Sequence, residues 1–468
     1  MQSRRDQLQA YKFLTRRALA ALVAGEPDVP EAPMRRISLT TATGVMVAVL
    51  VVAGFAVFGL IRPGNNTKIE SGTVYIERET GTSFVLLSDG DLHPALNFTS
   101  AALAVGQKGK VSVKTVSSGA LAHKPHGAAV GIAGAPQSVP RSTSHIVSTP
   151  WTVCSQAHTQ GASGDRAVVT VSIGSEAGST RLPADYGVVA STPSNRSLPY
   201  LLWHGQRLSI KSQDVATALG LQAGNPLIVG SSLLNALPQG PPLATPTVAD
   251  AGQAGPSVGG TPTLVGQLVQ ATDDGTFRAA LRDGLTDKLT PVEVDLLRTL
   301  QIGGQPRDPV RTNLTNVLRA PVSSNPDDLL RQFKGLPSVV PTIPDAPTQA
   351  GGVCAIYTSN GSTALSVPQG TAPADSGTVS ESEQSARGVA DKVDVPASKA
   401  AIAVANNGAA ARYLIVAPGK KYPASDKAME SLGYSSVTPA AVPAQLLLLI
   451  PTGPALDPGA ATQIAAGS

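Results

Sequence analysis

The amino-acid sequence predicts an α+β fold: a single transmembrane helix followed by an elongated extracytoplasmic domain of four repeated β/α units around a disulfide-linked, β-rich core. Three observations predict it. Residues 37–61 form one uncharged apolar run, a segment recurs at a constant offset of 213 residues, and the two cysteines, Cys154 and Cys354, both follow the run. With 46 Gly and 38 Pro but only 4% aromatic residues, the domains are expected to be loop-rich and cored by Ala, Val and Leu.

The chain opens with Ser3-Arg-Arg-Asp6, the form of a helix capping box, and no Gly or Pro follows until Gly25. Leu8, Tyr11, Leu14, Ala18 and Leu22 recur at helical spacing, with Arg5, Gln9, Lys12 and Arg16 on the other side. This is a basic amphipathic helix. A free apolar stripe needs a surface, so Leu8, Tyr11, Leu14, Arg16 and Arg17 are read as a docking face for a cytoplasmic partner or an anionic leaflet. The plainer reading is a solvated helix beside the membrane.

The 25 residues from Ile37 to Ile61 carry no charge. As a helix rising 1.5 Å per residue they reach about 37 Å, enough to cross about 30 Å of hydrocarbon with some tilt. A cleaved signal peptide fits less well, because the run and the region before it are long and no small-x-small cleavage site follows. Arg35 and Arg36 close the N-terminal side with five further basic residues behind them, against Arg62 and Lys68 on the other. Positive charge stays inside, which makes this a single-pass cell-membrane protein with a cytoplasmic N-terminus and its bulk outside.

Charge placement also bears on partners. Residues 1–36 hold seven basic and four acidic side chains, leaving +1 of the total +4 for everything after them. That is no footprint for a polyanion, and nucleic acid is excluded as a partner.

An oxidising exterior favours pairing of Cys154, in Trp151-Thr-Val-Cys154, with Cys354, in Gly352-Val-Cys354-Ala-Ile-Tyr357. The alternative is a pair of buried free thiols. Laying Tyr200–Leu243 over Tyr413–Leu456 without a gap gives 13 identities in 44 positions, among them Leu219-Gly220/Leu432-Gly433, Leu233-Leu234/Leu446-Leu447 and Pro238-x-Gly240-Pro241/Pro451-x-Gly453-Pro454. Gly and Pro at fixed offsets carry backbone constraints, so a repeated supersecondary unit is expected: a strand, a short helix ending at Leu-Gly, and a second helix around Leu-Leu. Weaker echoes are Phe84-Val-Leu-Leu-x-x-Gly90 before Leu92-His-Pro, and Phe277-x-x-x-Leu281-x-Asp-Gly284 before Leu289-Thr-Pro. Segments 244–263 and 363–399 read as linkers or mobile loops.

The expected organisation is therefore a basic head at 1–36, the span at 37–61, repeat 1 at 62–140, core with Cys154 at 141–195, repeat 2 at 196–250, repeat 3 at 251–338, core with Cys354 and a mobile loop at 339–400, and repeat 4 at 401–468.

Taken in order, several strings resemble the EccB family, the membrane component of type VII (ESX-type) secretion systems. They are Ser3-Arg-Arg-Asp-Gln-Leu-Gln-Ala10, Gly25-x-Pro-Asp-x-Pro-Glu-x-Pro-Met-Arg-Arg36, Leu92-His-Pro-Ala-Leu-Asn97, Gly131-Ile-Ala-Gly-Ala-Pro136, Leu237-Pro-x-Gly-Pro-Pro-Leu243, Leu432-Gly-Tyr434 and Pro451-x-Gly-Pro-x-Leu-Asp-Pro458. The resemblance implies a structural subunit that anchors and assembles the secretion channel. It implies other membrane components as partners, the FtsK-like motor EccC with EccD and EccE, and a homodimer through the ectodomain. Its repeats are similar to a phage-lysin wall-binding subunit, which adds peptidoglycan as a candidate ligand.

Family members are often labelled ATPases, yet no Gly-x-x-x-x-Gly-Lys-Ser/Thr string occurs. Gly106-Gln-Lys-Gly-Lys110 and Pro418-Gly-Lys-Lys421 lack the spacing and the hydroxyl, and are read as turns. His123-Lys-Pro-His126 and Cys154-x-x-x-His158 are weighed as metal pairs and set aside. Ser-hydrolase motifs of the Gly-x-Ser-x-Gly type are taken to be absent. Catalytic, cofactor and metal residues are accordingly expected to be none.

Overall fold

A computed structural model describes residues 3–25, 33–61, 68–106, 111–157, 167–221, 226–359, 361–369, 377–378, 388–408 and 410–465. The chain divides into two bodies, Met1–Ile69 with Val116–His123, and Glu70–Thr115 with Lys124–Ser468. In the first, helix Arg4–Ala24 begins at a true capping box and ends at Gly25, whose left-handed φ of 72° only Gly adopts without cost. Helix Pro33–Ile61 follows; its stretch Ser38–Val57 is long and apolar enough to cross a membrane, with mean hydropathy 2.1 and none of it buried.

The second body is built on a seven-stranded sheet, ordered Gly377–Thr378, Lys392–Asp394, Ala167–Ile173, Trp151–Ala157, Gly352–Tyr357, Thr363–Pro368 and Ser179–Arg181. Cys154 lies directly opposite Cys354 in the antiparallel register, and the two form a disulfide across 200 residues of sequence. Period-two alternation gives the sheet two unlike faces. Trp151, Val153, Val169, Val171, Val353 and Ala355 form the apolar one; Thr152, Cys154, Thr170, Ser172 and Cys354 share the other. Two expected linkers are corrected here: Thr363–Pro368 and Lys392–Asp394 are strands of this sheet, and Ala254–Val258 pairs with Thr261–Leu264 as a hairpin.

Around the sheet, repeat 4 is a meander Ala400–Ala405, Arg412–Val416, Lys420–Ala424, then a helix Asp426–Ser431, a fourth strand Ala440–Val442 parallel to the first, and a helix Ala444–Leu448. Repeat 2 has the same order in Val188–Thr192, Asn195–Trp203, Gln206–Ser209, helix Gln213–Ala218, strand Leu227–Ile228 and helix Ser231–Ala236. The unit thus has four strands where one was expected, and repeat 2 takes its first strand from ahead of residue 196. Strands Thr73–Glu77, Ser83–Leu86, Leu92–Ala95 and Ser112–Val116 repeat the sheet order at the N-terminal end. Repeat 3 keeps Leu268–Ala271, Phe277–Ala279 and the parallel Val310–Thr312, but its third strand shrinks to a single bridge, Ala280 to Leu285.

Gly220 and Gly433, at φ 66° and 83°, follow their helices in the left-handed region, and Ser212 and Ser425 cap those helices at the same offset. Between these points the gapless alignment hides a slip. Trp203 pairs with Gln206 across a two-residue turn, whereas Val416 pairs with Lys420 across three. Repeat 2 restores the count with one extra residue, Lys211, before its cap.

What closes each repeat is a clip. A proline carbonyl accepts the amide of a strand residue, and the residue two beyond the proline donates its amide back: Leu92 with Pro125/Gly127, Arg207 with Pro238/Gly240, Leu285 with Pro321/Ser323, and Lys421 with Pro451/Gly453, all between 2.8 and 3.2 Å. The next strand residue packs under the clip, so a Cβ on Gly453 would lie 2.3 Å from the Tyr422 ring. Gly453→Ala is expected to cost about 1–3 kcal/mol as overpacking. Adding Tyr422→Leu, which copies Leu208 of repeat 2, should recover part of that loss in urea unfolding; a double variant no more stable than Gly453→Ala alone would refute the clash.

Leu233, Leu234, Leu446 and Leu447 are all buried, though not only against their own strands. Their two helices touch each other and share one cluster with the apolar face of the central sheet. Repeats pair off elsewhere through their first helices, Gln213–Ala218 with Pro291–Arg298, and Phe98–Val105 with Asp426–Ser431.

Candidate partner-docking site

The head helix carries the sequence-derived docking residues. Leu8, Tyr11 and Leu14 are 57, 72 and 64% exposed, and Arg16 and Arg17 are exposed as well. The structure brings the first three onto one face and leaves that face uncovered. Leu22 extends it, at 84% exposed. Phe13, 64% exposed, escaped the stripe because at 100° per residue it falls on the opposite side of the helix. An exposed apolar face on a capped helix joined to an apolar span can do one thing well, which is to bury itself against a protein or a lipid surface.

The chemistry candidates resolve into structural roles. Ala417-Pro-Gly419 is a hairpin loop whose Gly419 amide is already bonded to Val416, and a Cβ on Gly419 would meet Val393 at 2.7 Å. Lys421 points inward, its Nζ donating to the carbonyls of Leu447 at 2.8 Å and Ile450 at 2.5 Å, and burial lowers its pKa to about 8. It holds the end of a helix. Residues 107–110 and His158 lie outside the described residues. His126 belongs to the clip of repeat 1, with its ring edge-on to Phe84.

One sequence expectation is wrong. A Gly-x-Ser-x-Gly string does occur, Gly255-Pro-Ser-Val-Gly259, but it lies in and just after strand Ala254–Val258 of a hairpin, not on a strand-to-helix elbow, and Ser257 is exposed. Among the described residues no group of three or more His, Cys, Asp or Glu is placed to hold a metal. A cleft of about 510 Å³ lies where His204, Gln206 and Pro238 of repeat 2 meet Ser362 and Thr363 of the central sheet.

A capped amphipathic head, one candidate span among the described residues and a large repeat-built domain closed by a disulfide define the architecture of a membrane-anchored repeat protein. Residues 1–466 match the family model described as "Type VII secretion system ESX-1, transport TM domain B". The chain belongs to that family, EccB, a component of ESX secretion systems. It is 30% identical over 489 residues to the Mycobacterium tuberculosis protein named ESX-3 secretion system ATPase EccB3, covering 97% of this chain and 88% of the relative. Among solved structures it is similar to the EccB3 dimer from the ESX-3 core complex, with TM-score 0.64, 26% identity, and coverage of 83% of this chain and 99% of that one. A chain of an intact ESX-5 inner membrane complex shares the fold, with TM-score 0.64 at 23% identity over 100% of this chain and 96% of that one.

Proposed function

We propose that this chain is a structural membrane subunit of a type VII secretion complex. The N-terminal helix lies in the cytoplasm and docks on other membrane components of the EccC, EccD and EccE kind, the span holds the chain in the bilayer, and the repeat domain lies outside and pairs with a second copy. The observation that carries this reading is the uncovered apolar stripe on a basic, doubly capped helix one short segment away from the span. The EccB3 dimer and the ESX-5 membrane complex among its structural neighbours support it.

The relatives' ATPase names favour a second reading. A tagged chain recovered in detergent from its own membranes is expected to bring the motor-type ATPase and further membrane components with it. The same chain produced without the motor is expected to hydrolyse no ATP and not to sediment with peptidoglycan. Turnover that persists in the motor-free preparation would replace the structural reading with the enzymatic one, and retention on cell wall without membrane partners would replace it with a wall-binding module.

A further inference from the structure

We infer that His93 is a proton-held latch: as a cation it bridges the hairpin turn of repeat 1 and the clip segment Gly127–Gly131, and on losing its proton it gives up one of the two bonds of that bridge, which loosens the segment. The ring is buried, 6% exposed. Its Nδ1 lies 2.7 Å from the carbonyl oxygen of Ala128 and its Nε2 lies 2.9 Å from Oδ2 of Asp89. Carbonyl and carboxylate oxygens only accept, so both ring nitrogens must donate, which the imidazolium alone can do. A neutral ring turns one lone pair toward an acceptor and loses that bond. The ring packs against Gly127, where a Cβ would stand 2.2 Å from its Cε1.

The segment held this way carries more than itself. Val130 donates to Pro94, Gly131 donates to Gln463, and Ala465 donates to Ala129, so the stretch Gln463–Ala465 rests on it as an outer edge. The positions equivalent to His93 in the other clips are Leu208, Thr286 and Tyr422. None of them changes charge near neutrality, so repeat 1 alone adds a titratable side-chain tie to its clip. The ionisable groups facing the ring are Asp89 and Asp91 on the hairpin turn. The clip faces it with the Ala128 carbonyl, while its own ionisable side chain, His126, has its ring edge-on to Phe84.

Burial works against the charge on His93, but the Ala128 carbonyl and the Asp89 carboxylate outweigh it and raise the pKa above 6.5. A raised folded pKa means that the latch contributes fully below the unfolded pKa and is lost as pH rises through the folded one.

The test is amide hydrogen exchange of the full-length protein, as protection factors for Val130, Gly131 and Ala465 from about pH 5 to about pH 8.5, with the His93 ring followed by ¹⁵N shifts. Protection at these amides is expected to fall about tenfold across the ring's titration, one hydrogen bond's worth, with a midpoint above 6.5. His93→Gln keeps one donor and no charge, and should hold the low value at every pH. Protection that does not change with pH in the native protein, or that falls in parallel in the variant, would overturn the latch. Asp89→Asn, at an exposed turn, leaves the core untouched and should lower the midpoint; an unmoved midpoint would equally overturn it.

Discussion

Replacing Cys154 and Cys354 together by Ser is expected to remove about 5 kcal/mol of stability from the repeat domain. The bond closes a loop of 200 residues, which holds repeats 2 and 3 entire. In the chain-entropy account a loop of that size raises the free energy of the unfolded chain by about 5 kcal/mol, at the upper end of what a disulfide contributes. Typical domains are stable by only about 5–15 kcal/mol, so the loss is a large fraction of the total. Serine is the suitable replacement because both sulfurs lie on the sheet face that carries Thr152, Thr170 and Ser172, where a hydroxyl meets small polar neighbours. The measurement is urea unfolding of the oxidised protein, the reduced protein and the double Ser variant. Reduced and Ser proteins should coincide, well below the oxidised one; a difference under about 1 kcal/mol would mean that the central sheet closes the loop unaided.

Substituting Leu8, Tyr11 and Leu14 by Ser is expected to leave the protein in the membrane and to release it from the complex. The three side chains are more than half exposed, so their replacement removes nothing from the protein's own core. Against a partner, buried apolar anchors of this kind contribute about 1–2 kcal/mol each, so losing three weakens docking by two orders of magnitude or more. Co-purification of the motor-type ATPase from detergent extracts reads the effect, with membrane fractionation as the control for insertion. Phe13→Ser, off the stripe, should do far less. Unchanged recovery of the partner with the triple variant would leave the head as a solvated helix.

Much of this was legible in the sequence because its signals are short-range. Ser3 with Asp6, Leu-Gly at 219–220 and 432–433, and the uncharged run at 37–61 act within a turn or within one helix, where composition decides the free energy. The exposed stripe of Leu8, Tyr11 and Leu14 was legible for the same reason, since a helical stripe is a local pattern; the exposed Phe13 lies outside that pattern. The clips of repeats 1 and 3 had a signal that went unread. Pro125-x-Gly127 and Pro321-x-Ser323 echo Pro238-x-Gly240 and Pro451-x-Gly453, but Ser in place of Gly hides one of them.

The sequence by itself determined the span, the head helix with its caps, the cysteine pair and the existence of a repeat. Each rests on residues whose physical preference is already set before the chain folds. Only the tertiary structure decided that Val188–Thr192 opens repeat 2, that a two-residue strand such as Leu227–Ile228 completes it, that the Leu-Leu helices of repeats 2 and 4 meet over one sheet, and that repeat 1 packs on repeat 4 and repeat 2 on repeat 3. A strand of two residues has no periodicity to read, and its pairing partner lies far away along the chain. Its identity comes from hydrogen bonds and buried faces that exist only once the distant strand is in place.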